Sequence, residues 1–182
     1  SAITGINTCA VHAADPAKEA GRIAAYIGER EIIKDLNARG LCFEGTDFSH
    51  RRFYGCNFYE ASFSMCLFTG AVMRMCFFDF THLDNCDFSQ SDLQFLSFAG
   101  SAIRDCTFEG SELVHLNYGG TLILDCTFNN SNLYNSRFIN ADIELSDFVD
   151  CNLKRTYFIK ARQEGVSFKS SNTAEAIFEP EA

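Results

Sequence analysis

A large apolar residue recurs at every fifth position from Phe43 to Phe158, 24 times in unbroken register. Gln163 breaks the series, Phe168 resumes it, Thr173 lapses and Phe178 closes it. Hydrophobic residues make up 47% of the chain, so chance does not produce such a run. An α-helix turns every 3.6 residues and cannot hold a period of five on one face. A short extended segment followed by a corner, repeated around a solenoid, can.

Two positions before each large residue runs a second register of small ones, such as Cys56, Ala61, Cys66, Thr81, Ser91, Ser111 and Cys126. Residues two apart in an extended segment point to the same side, and the one between them points away. The residue between is mostly polar, as at Asp47, Asn57, Asp87, Asn117 and Asn132. Each pentad therefore reads as small-in, polar-out, large-in and a two-residue turn. Leu96 and Leu116 are oversized for the small slot, and Arg51 is charged.

The identity of the large residue repeats every fourth pentad. Phe48, Phe68, Phe88, Phe108, Phe128, Phe148 and Phe168 form one aromatic column, and Phe58, Phe78, Phe98, Tyr118, Phe138, Phe158 and Phe178 form another. Between them lie mainly aliphatic columns, including Met73, Leu93 and Leu113, and Leu83, Ile103 and Ile123. Four columns predict a four-sided coil of 20 residues. About seven coils at roughly 4.8 Å each make a rod of about 33 Å.

Ser131-Asn132-Leu133, Ala141-Asp142-Ile143 and Ser91-Asp92-Leu93 fit the pattern A(D/N)Lxx, with Cys variants at Cys56-Asn57-Phe58, Cys86-Asp87-Phe88 and Cys151-Asn152-Leu153. In this the sequence resembles the pentapeptide-repeat family, over about three quarters of its length. The resemblance implies an all-β solenoid, a right-handed quadrilateral β-helix, of bacterial type.

Outside the repeat, residues 1–14 are expected to be a flexible N-terminal segment and 15–39 a helical cap. Asp15-Pro16 is an N-cap followed by proline at the first helical position, and Ala20, Ile23, Ala24 and Ile27 follow at helical spacing. Beyond Gly28, Ile32, Ile33 and Leu36 read as a further turn or a short strand. The β-helix itself is expected over 40–178, with a tail at 179–182. The polar stretch from Lys169 onward suggests a weakly capped end and homodimerisation through the C-terminal coil. The chain opens with no basic-then-apolar signal pattern, and no apolar run nears the roughly 18 residues of a membrane span.

Nine cysteines occur without any Cys-x-x-Cys, and seven fall in the small inward register. They read as core fillers, not as a disulfide framework or zinc site, and their abundance suits the reducing cytoplasm. Cys9-x-x-His12 is too little for a metal site, and His50, His82 and His115 are scattered. Phosphate-loop and nucleophile-elbow motifs are absent from the sequence. The expectation is a chain that is not an enzyme, with no metal and no cofactor.

The surface carries the functional expectation. Net charge is −9, which disfavours direct nucleic-acid binding. Residues 79–150 hold twelve acids against Arg104 and Arg137. The candidate acidic surface is Asp84, Asp87, Asp92, Asp105, Glu109, Glu112, Asp125, Asp142 and Asp147. A candidate apolar patch is Met65, Leu67, Val72, Met75, Phe77, Phe80 and Phe95, all at outward positions. The reading is a non-enzymatic protein-interaction scaffold for a protein partner, possible partners being basic or DNA-binding, with no membrane contact. The resemblance adds one alternative: quinolone-resistance members of that family act on DNA gyrase as DNA mimics. This chain departs from them in having no loop insertions and no apolar C-terminal dimerisation helix. A second alternative is a bacterial effector carrying the repeat.

Overall fold

The computed structural model describes residues 15–179. Among these residues it is a parallel β-solenoid of about seven coils preceded by one helix. The expected flexible segment 1–14 and most of the expected tail lie outside the described residues.

Helix α1 (Pro16–Gly28) starts as its residues dictate: the Asp15 side chain accepts a hydrogen bond from the Lys18 amide at 3.1 Å. Ala20, Ile23 and Ile27 are buried against the first coil. The helix accounts for only part of the expected cap. Twelve three-residue strands follow. They are β1 (Ile32–Lys34), β2 (Cys42–Glu44), β3 (Arg52–Tyr54), β4 (Ser62–Ser64), β5 (Val72–Arg74) and β6 (His82–Asp84). Then come β7 (Asp92–Gln94), β8 (Ala102–Arg104), β9 (Glu112–Val114), β10 (Leu122–Leu124), β11 (Asp142–Glu144) and β12 (Arg162–Glu164). Strand β1 pairs with β3 in the register Ile32↔Arg52, so the solenoid begins before residue 40. Sequence periodicity missed this coil because Leu36 and Ala38 exchange sizes: the large residue fills the small slot and the small one the large slot, both buried.

Every strand pairs with the one 20 residues away, and this fixes four faces. Face 1 carries β1-β3-β5-β7-β9 and face 3 carries β2-β4-β6-β8-β10-β11-β12. Faces 2 and 4 are held by single bridges, Asn57↔Phe77↔Ser97↔Asn117↔Arg137 on face 2 and Asp47↔Leu67↔Asp87↔Thr107↔Thr127 on face 4. The two aromatic columns lie beneath faces 2 and 4. Rings stack within a column, as in Phe108–Phe128 at 4.8 Å and 3°, and meet edge to face between columns, as in Phe128–Phe138 at 6.1 Å and 86°. The small slots do a second job. Ser91, Ser111 and Ser131 hydroxyls donate at 2.7–2.8 Å to the carbonyls of Phe68, Phe88 and Phe108, and Cys66 and Cys86 thiols lie 3.5 Å from those of Phe43 and Phe63. Cysteine and serine thus occupy one structural role. Arg51 departs from the register for a reason: its guanidinium donates to the Gly28 carbonyl at 3.1 Å and ties the end of α1 to the rod.

Each corner has one geometry. Every residue numbered in multiples of five from Asp35 to Ser170 has φ between 48° and 69°, eight of them glycine and twenty not. Glycine, asparagine and aspartate accept this left-handed region readily, and bulky side chains do so at a cost of about 1–2 kcal/mol.

Candidate interaction surfaces

The corner geometry sharpens the meaning of the apolar patch. Met65, Met75, Phe80 and Phe95 all sit at left-handed corner positions, and all are exposed. With Leu145 at a corner between faces 3 and 4, a corner that tolerates asparagine or glycine has been given five large apolar side chains that bury nothing in the core, a combination of strain and exposure that points outward. The seven residues do not form one surface, however. Phe77 is central on face 2, with Met75 and Phe95 at its face 1 corner and Phe80 at its face 3 corner. Met65 and Leu67 belong to face 4, on the opposite side, and Val72 is central on face 1 between the two.

Face 2 has further members that the sequence reading missed. Tyr59 meets Phe80 edge to face at 5.4 Å, and Phe95 stacks on His115 at 4.9 Å and 7°. His115 Nδ1 is hydrogen-bonded by the Asn135 side chain at 2.6 Å, and Tyr134 stands edge-on to its ring. In the next coils the face is small: Ser97, Ala99 and Gly100, then Asn117, Gly119 and Gly120. The Phe80 ring lies across Gly100, whereas a side chain at Gly120 would meet nothing within 4 Å. Sorting the outward residues by position modulo 20 is the sequence signal that would have found this ridge and hollow.

The acids are segregated crosswise as well as lengthwise. Seven of the nine expected residues lie on faces 3 and 4: Asp84 and Asp142 on face 3, Asp105 and Asp125 at the shared corner, and Asp87, Glu109 and Asp147 on face 4. Asp92 and Glu112 are one coil apart on face 1, where Asp92 is bound by Arg74 and Glu112 accepts from the Asn132 side chain at 2.7 Å. Pentads 41–50 and their equivalents on faces 3 and 4 hold twelve acids and three bases, a net −9. Those of face 2 hold Arg39, Arg137 and Lys160 against Glu60, Asp79 and Glu179, a net charge of zero. On face 3, Arg162 draws Asp142, Glu144 and Glu164 together. Among the described residues, Asp84, Asp87, Asp105, Asp125 and Asp147 form no ion pair.

Turn chemistry shows that this charge is a choice. The Asp47 and Asp87 carboxylates of face 4 accept hydrogen bonds from the amides of Ser49 and Ser89 at 2.8 and 2.7 Å. On faces 1 and 2 the same bond is made by Asn57, Asn117, Asn132 and Asn152. Asparagine and aspartate serve this turn alike. The amide of Ser49 holds the Asp47 carboxyl below its ordinary range.

Other chemistry is sparse. The seven register cysteines are buried, and Cys42 is exposed; burial pushes the Cys151 thiol up. A groove of about 590 Å³ runs between the start of α1 and face 3, lined by Pro16, Cys42, Glu44, Ser62, His82 and Asp84 among others. Among the described residues no group of three or more histidines, cysteines and acids is placed to hold a metal ion. His50 sits at a corner of face 4, His82 is on face 3 and His12 is outside the described residues. No helix among the described residues is long and apolar enough to cross a membrane.

A filled interior with all its variation on four outer faces defines a repeat scaffold. The sequence matches two family models, a pentapeptide repeat region over residues 101–178 and pentapeptide repeats (8 copies) over 43–74 and 78–110. The chain belongs to the pentapeptide-repeat family. No curated protein matches it. Among solved structures it is similar to HetL, a pentapeptide repeat protein involved in heterocyst differentiation regulation from the cyanobacterium Nostoc. That likeness has 10% identity, 88% of this chain and 97% of the other, and a TM-score of 0.38. A trypsin-treated form of QnrB1, a plasmid-mediated fluoroquinolone resistance protein, shows 18% identity, 78% and 79% coverage and a TM-score of 0.44. A pentapeptide repeat protein of the Arabidopsis thaliana thylakoid lumen shows 23% identity, 55% and 66% coverage and a TM-score of 0.44.

Proposed function

We propose that the chain is a non-enzymatic protein-interaction rod of the reducing cytoplasm, with two sides of different chemistry. The observation that carries the reading is the set of exposed apolar side chains on face 2, three of the four held in left-handed corners where smaller residues would be more stable. Two variants test it, each used as bait beside the wild-type rod. One replaces Phe77, Phe80 and Phe95 by Ser; the other replaces Asp87, Asp105, Asp125 and Asp147 by Lys. The reading expects a protein held by the wild type and by the charge variant but lost by the Ser variant. No difference between wild type and the Ser variant overturns it.

A second reading is favoured by the −9 on faces 3 and 4. Spread along a rod of about 33 Å, that is roughly one net charge per 4 Å, close to the ~3.4 Å per charge along one DNA strand. Such a surface suits a basic, DNA-binding protein, as a DNA mimic would. Binding to DNA gyrase or a comparable enzyme should then weaken steeply with salt, and a salt-insensitive or absent interaction sinks this reading.

A further inference from the structure

We propose that the occupant of face 2 is a second copy of this chain, laid face to face and antiparallel, with a two-fold axis passing through the coil of Ser97. This rests on the reading of face 2 as an interaction face. The argument begins with shape. Successive coils of face 2 present a ridge (Met75, Phe77 and Phe80), a middle coil (Phe95, Ser97, Ala99 and Gly100) and a hollow (Asn117, Gly119 and Gly120). Ridge and hollow are equally far from the middle coil, 20 residues on either side. An antiparallel two-fold through Ser97 therefore seats each ridge in the partner's hollow, with Met75 opposite His115, Phe77 opposite Asn117, Asp79 opposite Gly119 and Phe80 opposite Gly120. It brings Phe95 against its own counterpart on the axis. A parallel pair would oppose ridge to ridge and leave the hollows empty.

Charge points the same way. Face 2 carries no net charge, while the −9 of faces 3 and 4 stays outward when two copies meet through face 2. Packing through face 4 would bring like charges together. Extent is sufficient: the outward positions of face 2 and its corners over these coils number about twenty per copy, the low end of a standard interface. The acidic sides of both copies remain free for other partners.

The test uses the intact chain. Sedimentation equilibrium should give about twice the 20.4 kDa monomer mass. In a Cys9→Ser, Cys42→Ser background, Ser97→Cys should oxidise to a covalent dimer, because the axis brings position 97 against itself. Thr127→Cys, on face 4, should not. Gly120→Asn fills the hollow without strain on the fold, since asparagine already occupies the same corner geometry at 130, 135 and 140. It and Phe80→Asn should each weaken the dimer about tenfold or more, about 1.4 kcal/mol. A monomer at about 100 µM, a weaker dimer than any at Kd of about 1 mM, overturns the inference and leaves the protein-partner reading to the bait experiment. A dimer that keeps its affinity in both variants and does not cross-link through Ser97→Cys also overturns it.

Discussion

Faces 2 and 4 are built on the same interior and finished differently. Beneath each runs a column of stacked aromatic rings, Phe58 to Phe178 under face 2 and Phe48 to Phe168 under face 4. Both are bridged coil to coil by single pairs, and both turn through the same left-handed corner. Outside, face 2 has asparagine in its turns and aromatic residues on its corners, whereas face 4 has aspartate in its turns. Since the fold treats the two alike, the difference between them is not required by folding. It is the part of the sequence free to specify partners.

The strongest way to break that comparison is to attack the shared interior. Phe78→Ala beneath face 2 and Phe88→Ala beneath face 4 should each cost about 3–5 kcal/mol, as truncation of a fully buried ring does. Chemical denaturation of the two variants should agree within about 1 kcal/mol. A larger gap would mean that the faces differ in their packing as well as their surface. Tyr118 is the one place where the columns already differ. Its ring is fully buried in the face 2 column, its hydroxyl has no hydrogen-bond partner, and burial holds its pKa well above the ordinary value. Tyr118→Phe should therefore stabilise the rod by about 1–3 kcal/mol, the cost of an unsatisfied buried polar group. A loss of stability in thermal melts would show that the hydroxyl has a partner after all.

Most of this architecture was legible in the sequence because a solenoid writes its three-dimensional neighbours at a fixed spacing. Phe108 and Phe128 touch because they are 20 residues apart, and the column identities said so. The first coil was not legible, since Leu36 and Ala38 swap the sizes on which the register depends. The surfaces were only half legible. Listing acids along the chain found residues 79–150, but it grouped Asp92 and Glu112 with Asp87, from which a corner separates them. Listing outward apolar residues likewise joined Leu67 to Phe77, which face opposite ways. Nothing in residue type alone reveals that position 75 or 95 is left-handed; that follows from the closure of the coil.

The corner residues allow a smaller but more pointed test of the contrast. Met75 is exposed at φ 53°, a conformation that asparagine adopts at the equivalent corners of face 1 and face 2. Met75→Asn should stabilise the isolated rod by about 1 kcal/mol through relief of that strain. The same substitution should weaken whatever binds face 2, so stability and association move in opposite directions. A variant that loses stability would mean that Met75 packs usefully within its own chain.

The smallest expected effect bears on the acidic side. Asp47→Asn and Asp87→Asn keep the turn and remove the charge, as Asn57 and Asn117 do on face 2. At neutral pH each should change stability by less than about 0.5 kcal/mol, within the range of exposed substitutions. The pH dependence is the sharper readout. Because the Ser49 amide lowers the folded-state pKa of Asp47, this carboxylate stabilises the fold above its unfolded pKa, near 3.8, and that contribution disappears as pH falls through the folded value. Asp47→Asn removes the titration, so its stability should fall less steeply than the wild type below about pH 4. Solvent screening at this exposed turn keeps the effect small. A neutral-pH loss well above that range would mean that folding itself needs the aspartate, and the charge of face 4 would cease to be a free choice.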